Sequence, residues 1–261
     1  MHRTLRLLTL SALTLLLAAP LSAATIHVPA DHALIQDAMD AAQAGDVVEV
    51  AAGTYTDCTH ETEGPGTTPA CVIMKSGVTL RGAGNGPGGT VIDAQSLGRG
   101  IFVEYVEDCR IENLRVINAY AAAYGAGILL RHVGLDVVVE DVVVTGCTDG
   151  GVICIYEASP TLNDLVITGN VAKQGGGLAV EEFSSPRIRG GEVSDNEAPS
   201  GAGVFIRNGC EPYITDLTVT GNRIDASYGQ GGGIFIADAA PVIEGCRITA
   251  NESLGLSLIH I

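Results

Sequence analysis

The sequence predicts an all-β solenoid of parallel strands, closed at its N-terminal end by one short α-helix. Three observations predict it. Segments 160–170, 186–196, 212–222 and 241–251 repeat one pattern, opening on a proline (Pro160, Pro186, Pro212, Pro241) and ending on an asparagine (Asn170, Asn196, Asn222, Asn251). Three of them are followed by a glycine-rich run, at 175–180, 201–206 and 231–236. The composition agrees, with 34 glycines, no tryptophan, 46% hydrophobic and only 17% charged residues, a mixture suited to short strands and turns. A unit of about 26 residues is too small to bury its apolar side alone, so it must stack on its neighbours.

Residues 1–24 read as a secretory signal. Arg3 and Arg6 give a basic start, 7–19 an apolar stretch, and Ser22, Ala23 and Ala24 a small-residue cleavage site. The exported chain would open on a strand at 25–28. Asp31 is then placed to cap a helix over about 33–44, in which Ile35, Ala38, Met39 and Ala42 follow the i, i+3, i+4, i+7 rule, and Gly45 ends it. Such a helix covers the first open sheet edge, which would otherwise template aggregation. Regular coils are legible from about residue 107. Three apolar columns align them: Ile111, Val139, Leu162, Ile188, Ile214 and Ile243; then Leu114, Val142, Leu165, Gly191, Leu217 and Cys246; then Val116, Val144, Ile167, Val193, Val219 and Ile248. A glycine column (Gly127, Gly151, Gly177, Gly203, Gly233) starts another strand. Its inward residues are Ile128, Val152, Leu178, Val204 and Ile234, and its outward ones Leu129, Ile153, Ala179, Phe205 and Phe235. The solenoid is expected to span 25–255. Residues 256–261 resemble the translation of a transposon end used in preparing sequencing libraries, so they read as a non-native tail on an interrupted gene.

The opening Thr25-Ile26-His27-Val28-Pro29-Ala30-Asp31, the Ile35-Gln36-Asp37-Ala38 helix, Gly45 to Val50 and Gly53-Thr54-Tyr55 resemble the start of secreted proteins of the pectin-lyase-like superfamily. The paired [Ile/Val]-x-x-Asn and Gly-Gly-Gly-Ile runs resemble the repeats of bacterial polymorphic outer membrane proteins. Together these cover nearly all of 25–255. The resemblance implies a right-handed parallel β-helix. It leaves activity open, because that coil serves lyases, hydrolases, esterases, epimerases and adhesins. The paired aspartates and Gly-His-Gly of polygalacturonases, the Asp-Phe-Ile-Phe-Gly of pectin methylesterases and the Trp-Ile-Asp-His of many pectate lyases do not occur here.

A formal net charge of -16 makes nucleic acid and acidic lipid poor partners. All seven cysteines follow the signal. Cys58 and Cys71 bracket a polar loop and are expected to close it as a disulfide, while Cys154 and Cys246 fall at inward positions as small core residues. No Cys/His spacing suggests zinc. The repeated asparagines read as a structural ladder. Asp141 and Asp164 should occupy adjacent coils, either sharing Ca²⁺ with turn carbonyls or splayed into water as turn residues. Beyond the glycine strands an exposed column runs Arg131, Ile155, Glu181, Arg207, Ala237. Glu181 and Arg207 are expected to pair, and Arg131 or Arg207 could neutralise a uronate carboxylate. Tyr120, Tyr124 and Tyr228 sit in lateral loops where they could stack on sugar rings. The residues therefore point to a secreted or cell-surface scaffold or polysaccharide-binding module with no complete catalytic set. The alternatives are a calcium-assisted polysaccharide lyase or related glycan-degrading enzyme, and the passenger of an autotransporter-type adhesin.

Overall fold

A computed structural model of the chain describes residues 23–60, 68–121, 125, 127–227 and 229–253. Residues 1–22, which hold most of the expected signal segment, the tail 256–261, Tyr124 and Tyr228 lie outside them. Among the described residues the chain is two parallel sheets and one helix. A long sheet of 15 strands and a short sheet of seven run side by side along the molecule. One coil shows the plan: Val152–Ile155 belongs to the short sheet, and Thr161–Asn163 and Val166–Thr168 form two limbs of the long sheet. The next coil stacks in register, Val152 beside Leu178, Leu162 beside Ile188 and Ile167 beside Val193. Adjacent coils are therefore spaced by about 4.8 Å, the ordinary distance between hydrogen-bonded strands.

The period-2 pattern delivers the core. In the first column Ile111, Val139, Leu162, Ile188 and Ile214 are all buried, and Val152, Leu178 and Val204 meet them from the short sheet. Between the two limbs the backbone turns through the left-handed region, with φ of 57° at Asn113, 52° at Asp141, 50° at Asp164 and 55° at Asp216. Asparagine and aspartate tolerate that region better than other non-glycine residues, and glycine takes the same column at 190 and 245.

At the end of the second limb the asparagines form a buried chain. The Asn196 Oδ1 accepts the backbone N–H of Asn170 and its Nδ2, both at 3.0 Å, while Asn196 Nδ2 donates to the Ile167 carbonyl and to Asn222 Oδ1, both at 2.9 Å. The pattern repeats between Asn222 and Asn251. Beside the chain lie the glycines of the short-sheet strands. A Cβ on Gly177 would sit 2.5 Å from Val193 Cγ1 and 2.7 Å from Asn196 Nδ2, so the column must be bare of side chains.

Three features differ from the expectations. The helix is shorter, Ile35–Ala41, and starts at Leu34 without a side-chain cap, because the Asp31 carboxylate closes the preceding turn by accepting the His27 N–H at 2.7 Å. Its C-terminal carbonyls are held instead by Lys75, whose Nζ donates to Asp40 O at 3.1 Å and Ala42 O at 2.5 Å. Regular pairing also begins well before residue 107. Val47–Val50, Thr79–Gly82, Ala70–Ile73 and Thr90–Asp93 are already stacked in the two sheets, although the long loops between them break the sequence period. Finally, the outward face of the short sheet is not wet. Phe102, Leu129, Ile153, Ala179 and Phe205 form a second apolar cluster, each at most 5% exposed. The glycine-rich approaches fold back over it: Gly175 lies against Ala179, and Gly201 against Phe205.

Candidate functional site

The sequence pattern that makes the short-sheet strands also builds a side-chain array where they end. Register places Glu104 beside Arg131 and Arg131 beside Ile155. The following residue in each coil, Tyr105, His132 and Tyr156, has φ between 50° and 58°, and this left-handed step turns the three side chains into one column. The Tyr105 and His132 rings stack 4.5 Å apart and 5° from parallel; His132 and Tyr156 stack at 5.8 Å and 15°. Tyr105 is 71% exposed, and its outer face carries no other ring among the described residues.

Two arginines flank the column, and each is neutralised. Arg131 pairs with Glu104 at 2.9 Å and Arg207 with Glu181 at 2.6 Å, the second pair being the one expected from sequence. The Arg131 guanidinium lies between the Phe102 and Tyr156 rings, 5.9 Å and 5.5 Å from their centroids. Its buried Nε has no hydrogen-bond partner among the described residues, so the rings supply its remaining surroundings. Burial holds the Arg99 guanidinium below the usual arginine range, and the nearby Arg131 charge adds to that effect. Two coils beyond Arg131, Phe183 stands 65% exposed with its ring over Gly209.

The other sequence-derived candidates lie elsewhere. Tyr120 is 45% exposed in the turn that precedes a short-sheet strand, bridged to Thr148, a strand's length from Arg131. Asp141 and Asp164 do occupy adjacent coils at the long-sheet bend, both exposed. The Asp164 carboxylate leans onto the following coil, where a Cβ at Gly190 would lie 2.1 Å from its Oδ1. The Asp141 carbonyl accepts the Asn85 side chain at 3.0 Å. Among the described residues no group of three or more His, Cys, Asp or Glu is arranged to hold a metal. Cys58 and Cys71 are joined by a disulfide, and Cys154 is buried in the core. No described helix is long and apolar enough to cross a membrane.

Sequence reasoning missed the Tyr105, His132 and Tyr156 column. Its signal was present one residue beyond the Arg131 column, but a Tyr-His-Tyr series at unequal spacing does not register as a repeat.

Comparison with known proteins places the fold. The family model for the right-handed β-helix region matches residues 76–236, more than half of the chain. The chain belongs to the right-handed β-helix family. Among solved structures, this β-helix protein is similar to a pectate lyase, Pel9A, at a TM-score of 0.51 and 12% identity, over 89% of this chain and 78% of that one. The A-modules of the Azotobacter vinelandii mannuronan C-5 epimerases AlgE4 and AlgE6 also align, each at 15% identity over 87% of this chain and 96% and 95% of theirs, with TM-scores of 0.30 and 0.27. No curated protein matches the sequence significantly. The pectate lyase likeness is one of fold, and the pectin-lyase-like resemblance holds at that level.

Proposed function

We propose that this β-helix is an exported, non-catalytic module that binds polysaccharide along the turn bearing Tyr105, His132 and Tyr156. The observation that carries the reading is the stacked column itself. Three rings are pre-ordered by the coil register, so presenting them to a ligand costs little further side-chain entropy. A sugar ring has one apolar face and a rim of hydroxyls, and an exposed tyrosine offers it both a flat apolar surface and a polar tip. Tyr105 supplies the open face, while the ring edges below it supply hydrogen-bonding groups. Burial of both arginines' charge in ion pairs argues against their serving as free electrophiles for a lyase reaction, which needs a cation and a base near one carbon.

Affinity electrophoresis and calorimetry on a panel of soluble polysaccharides test the reading. At least one glycan should bind, and Tyr105→Ala should weaken it about tenfold, the usual worth of one well-packed aromatic contact. Release of unsaturated or reducing ends from the bound glycan would overturn the non-catalytic part. Failure to bind any member would overturn the whole.

A further inference from the structure

The charge around the aromatic column selects among glycans. Glu157 and Asp238 are exposed on this turn, and Glu211 is exposed nearby; none has an ion-pair or hydrogen-bonding side-chain partner among the described residues. Glu182 accepts a hydrogen bond from the neutral Asn208 side chain at 2.7 Å and meets no cation. Arg131 and Arg207 are cancelled by Glu104 and Glu181, and Lys75 is spent on the carbonyls that end the helix. The ring stack thus continues, coil by coil, into uncompensated carboxylates at Glu182 and Asp238, in a chain whose formal net charge is -16. Tyr105 and Phe183, the two large exposed aromatics of the turn, are three coils apart, roughly 14 Å at the ordinary strand spacing.

Resting on the glycan-binding reading above, we propose that the ligand is an amino-sugar polysaccharide with free ammonium groups, laid along the solenoid axis from Tyr105 to Phe183. The rings receive the apolar faces of the sugars. Glu157 and Glu182 receive the ammonium groups. A polyuronate would place its carboxylates against the same acids and be repelled, with a reach of about 8 Å at physiological salt.

Calorimetry with four probes decides it: a de-acetylated glucosamine oligomer, its N-acetylated counterpart, polygalacturonate and poly-lysine, each at low and high salt. The de-acetylated oligomer should bind at least tenfold more tightly than the acetylated one, and lose that advantage in high salt. Tyr105→Ala should weaken it about tenfold. The double variant Glu157→Gln with Glu182→Gln, checked for native circular dichroism, should remove the preference for the de-acetylated form. Equal affinity for the two forms, or preference for polygalacturonate, sinks this proposal and leaves glycan binding standing. Poly-lysine binding as tightly, with Tyr105→Ala indifferent, shows a charge-only surface for basic polypeptides and also sinks it. Binding of no glycan sinks both.

Discussion

Removing the Asn196 carboxamide takes the acceptor from the buried N–H of Asn170 and the donor from the carbonyl of Ile167, and leaves the Asn170 side-chain amide with only the Val144 carbonyl as acceptor. Each unpaired buried group costs about 1–3 kcal/mol, so Asn196→Ala is expected to lower stability by about 3 kcal/mol or more, read from urea unfolding. A change below about 1 kcal/mol would show that water replaces the side chain. Asp46 gives a pH dependence. Its carboxylate accepts the backbone N–H of Ala24 at 2.7 Å and of Gln43 at 2.8 Å, and these bonds hold its pKa below the usual aspartate range. A depressed carboxyl stabilises the fold fully above its unfolded value of about 3.9 and loses that contribution as pH falls through the lower folded value. The melting temperature should therefore drop on acidification below about pH 4, and by less in Asp46→Asn. Asn196 was legible in the sequence because its role repeats along the run Asn170, Asn196, Asn222 and Asn251. Asp46 was not, because it acts once, at the start of the first strand.

Two kinds of strand carry the coil, and they tolerate substitution differently. The short-sheet strands are approached by glycines that have no room. Gly177→Ala would drive a methyl into Val193 and Asn196, and overpacking of that kind costs about 1–3 kcal/mol. The same change at Gly88, where a Cβ meets nothing within 4 Å, should be nearly silent, and thermal melts of the two variants measure the contrast. The inward cysteines make the same point chemically. Burial pushes the Cys109 and Cys147 thiols up to about 12, and it raises Cys154 as well. At neutral pH they remain thiols, so a thiol reagent should modify the half-exposed Cys246 first and the rest only on unfolding. Prompt reaction of all five would mean that the coils open readily. At this scale the inward columns could be read directly from period-2 alternation. The dry outer face of the short sheet could not, because the loops that cover it are glycine-rich and carry no apolar signal of their own.

The whole molecule is a one-dimensional stack, and its stability should vary along its length. The helix and the Lys75 clasp close the N-terminal side. At the other end Val242–Glu244 and Arg247–Thr249 are the last described strands, with Ile248 49% exposed. Amide exchange should therefore be fastest in these strands and slowest near Ile111 and Val139; uniform protection would contradict a nearest-neighbour stack. The regular coils were readable in sequence because every coil repeats the same burial problem, whereas the earlier coils hide behind loops that only three dimensions make irrelevant. The bend column adds a rule of growth. Asp164 leans over Gly190, and Asp216 over Gly245, each carboxylate occupying space that a side chain on the next coil would need. Asp141 and Asp164 nonetheless stand on successive coils at the same left-handed bend. The bend thus accepts a carboxylate or a bare backbone at each level, so the stack can lengthen or shorten there by single coils and change only its surface chemistry.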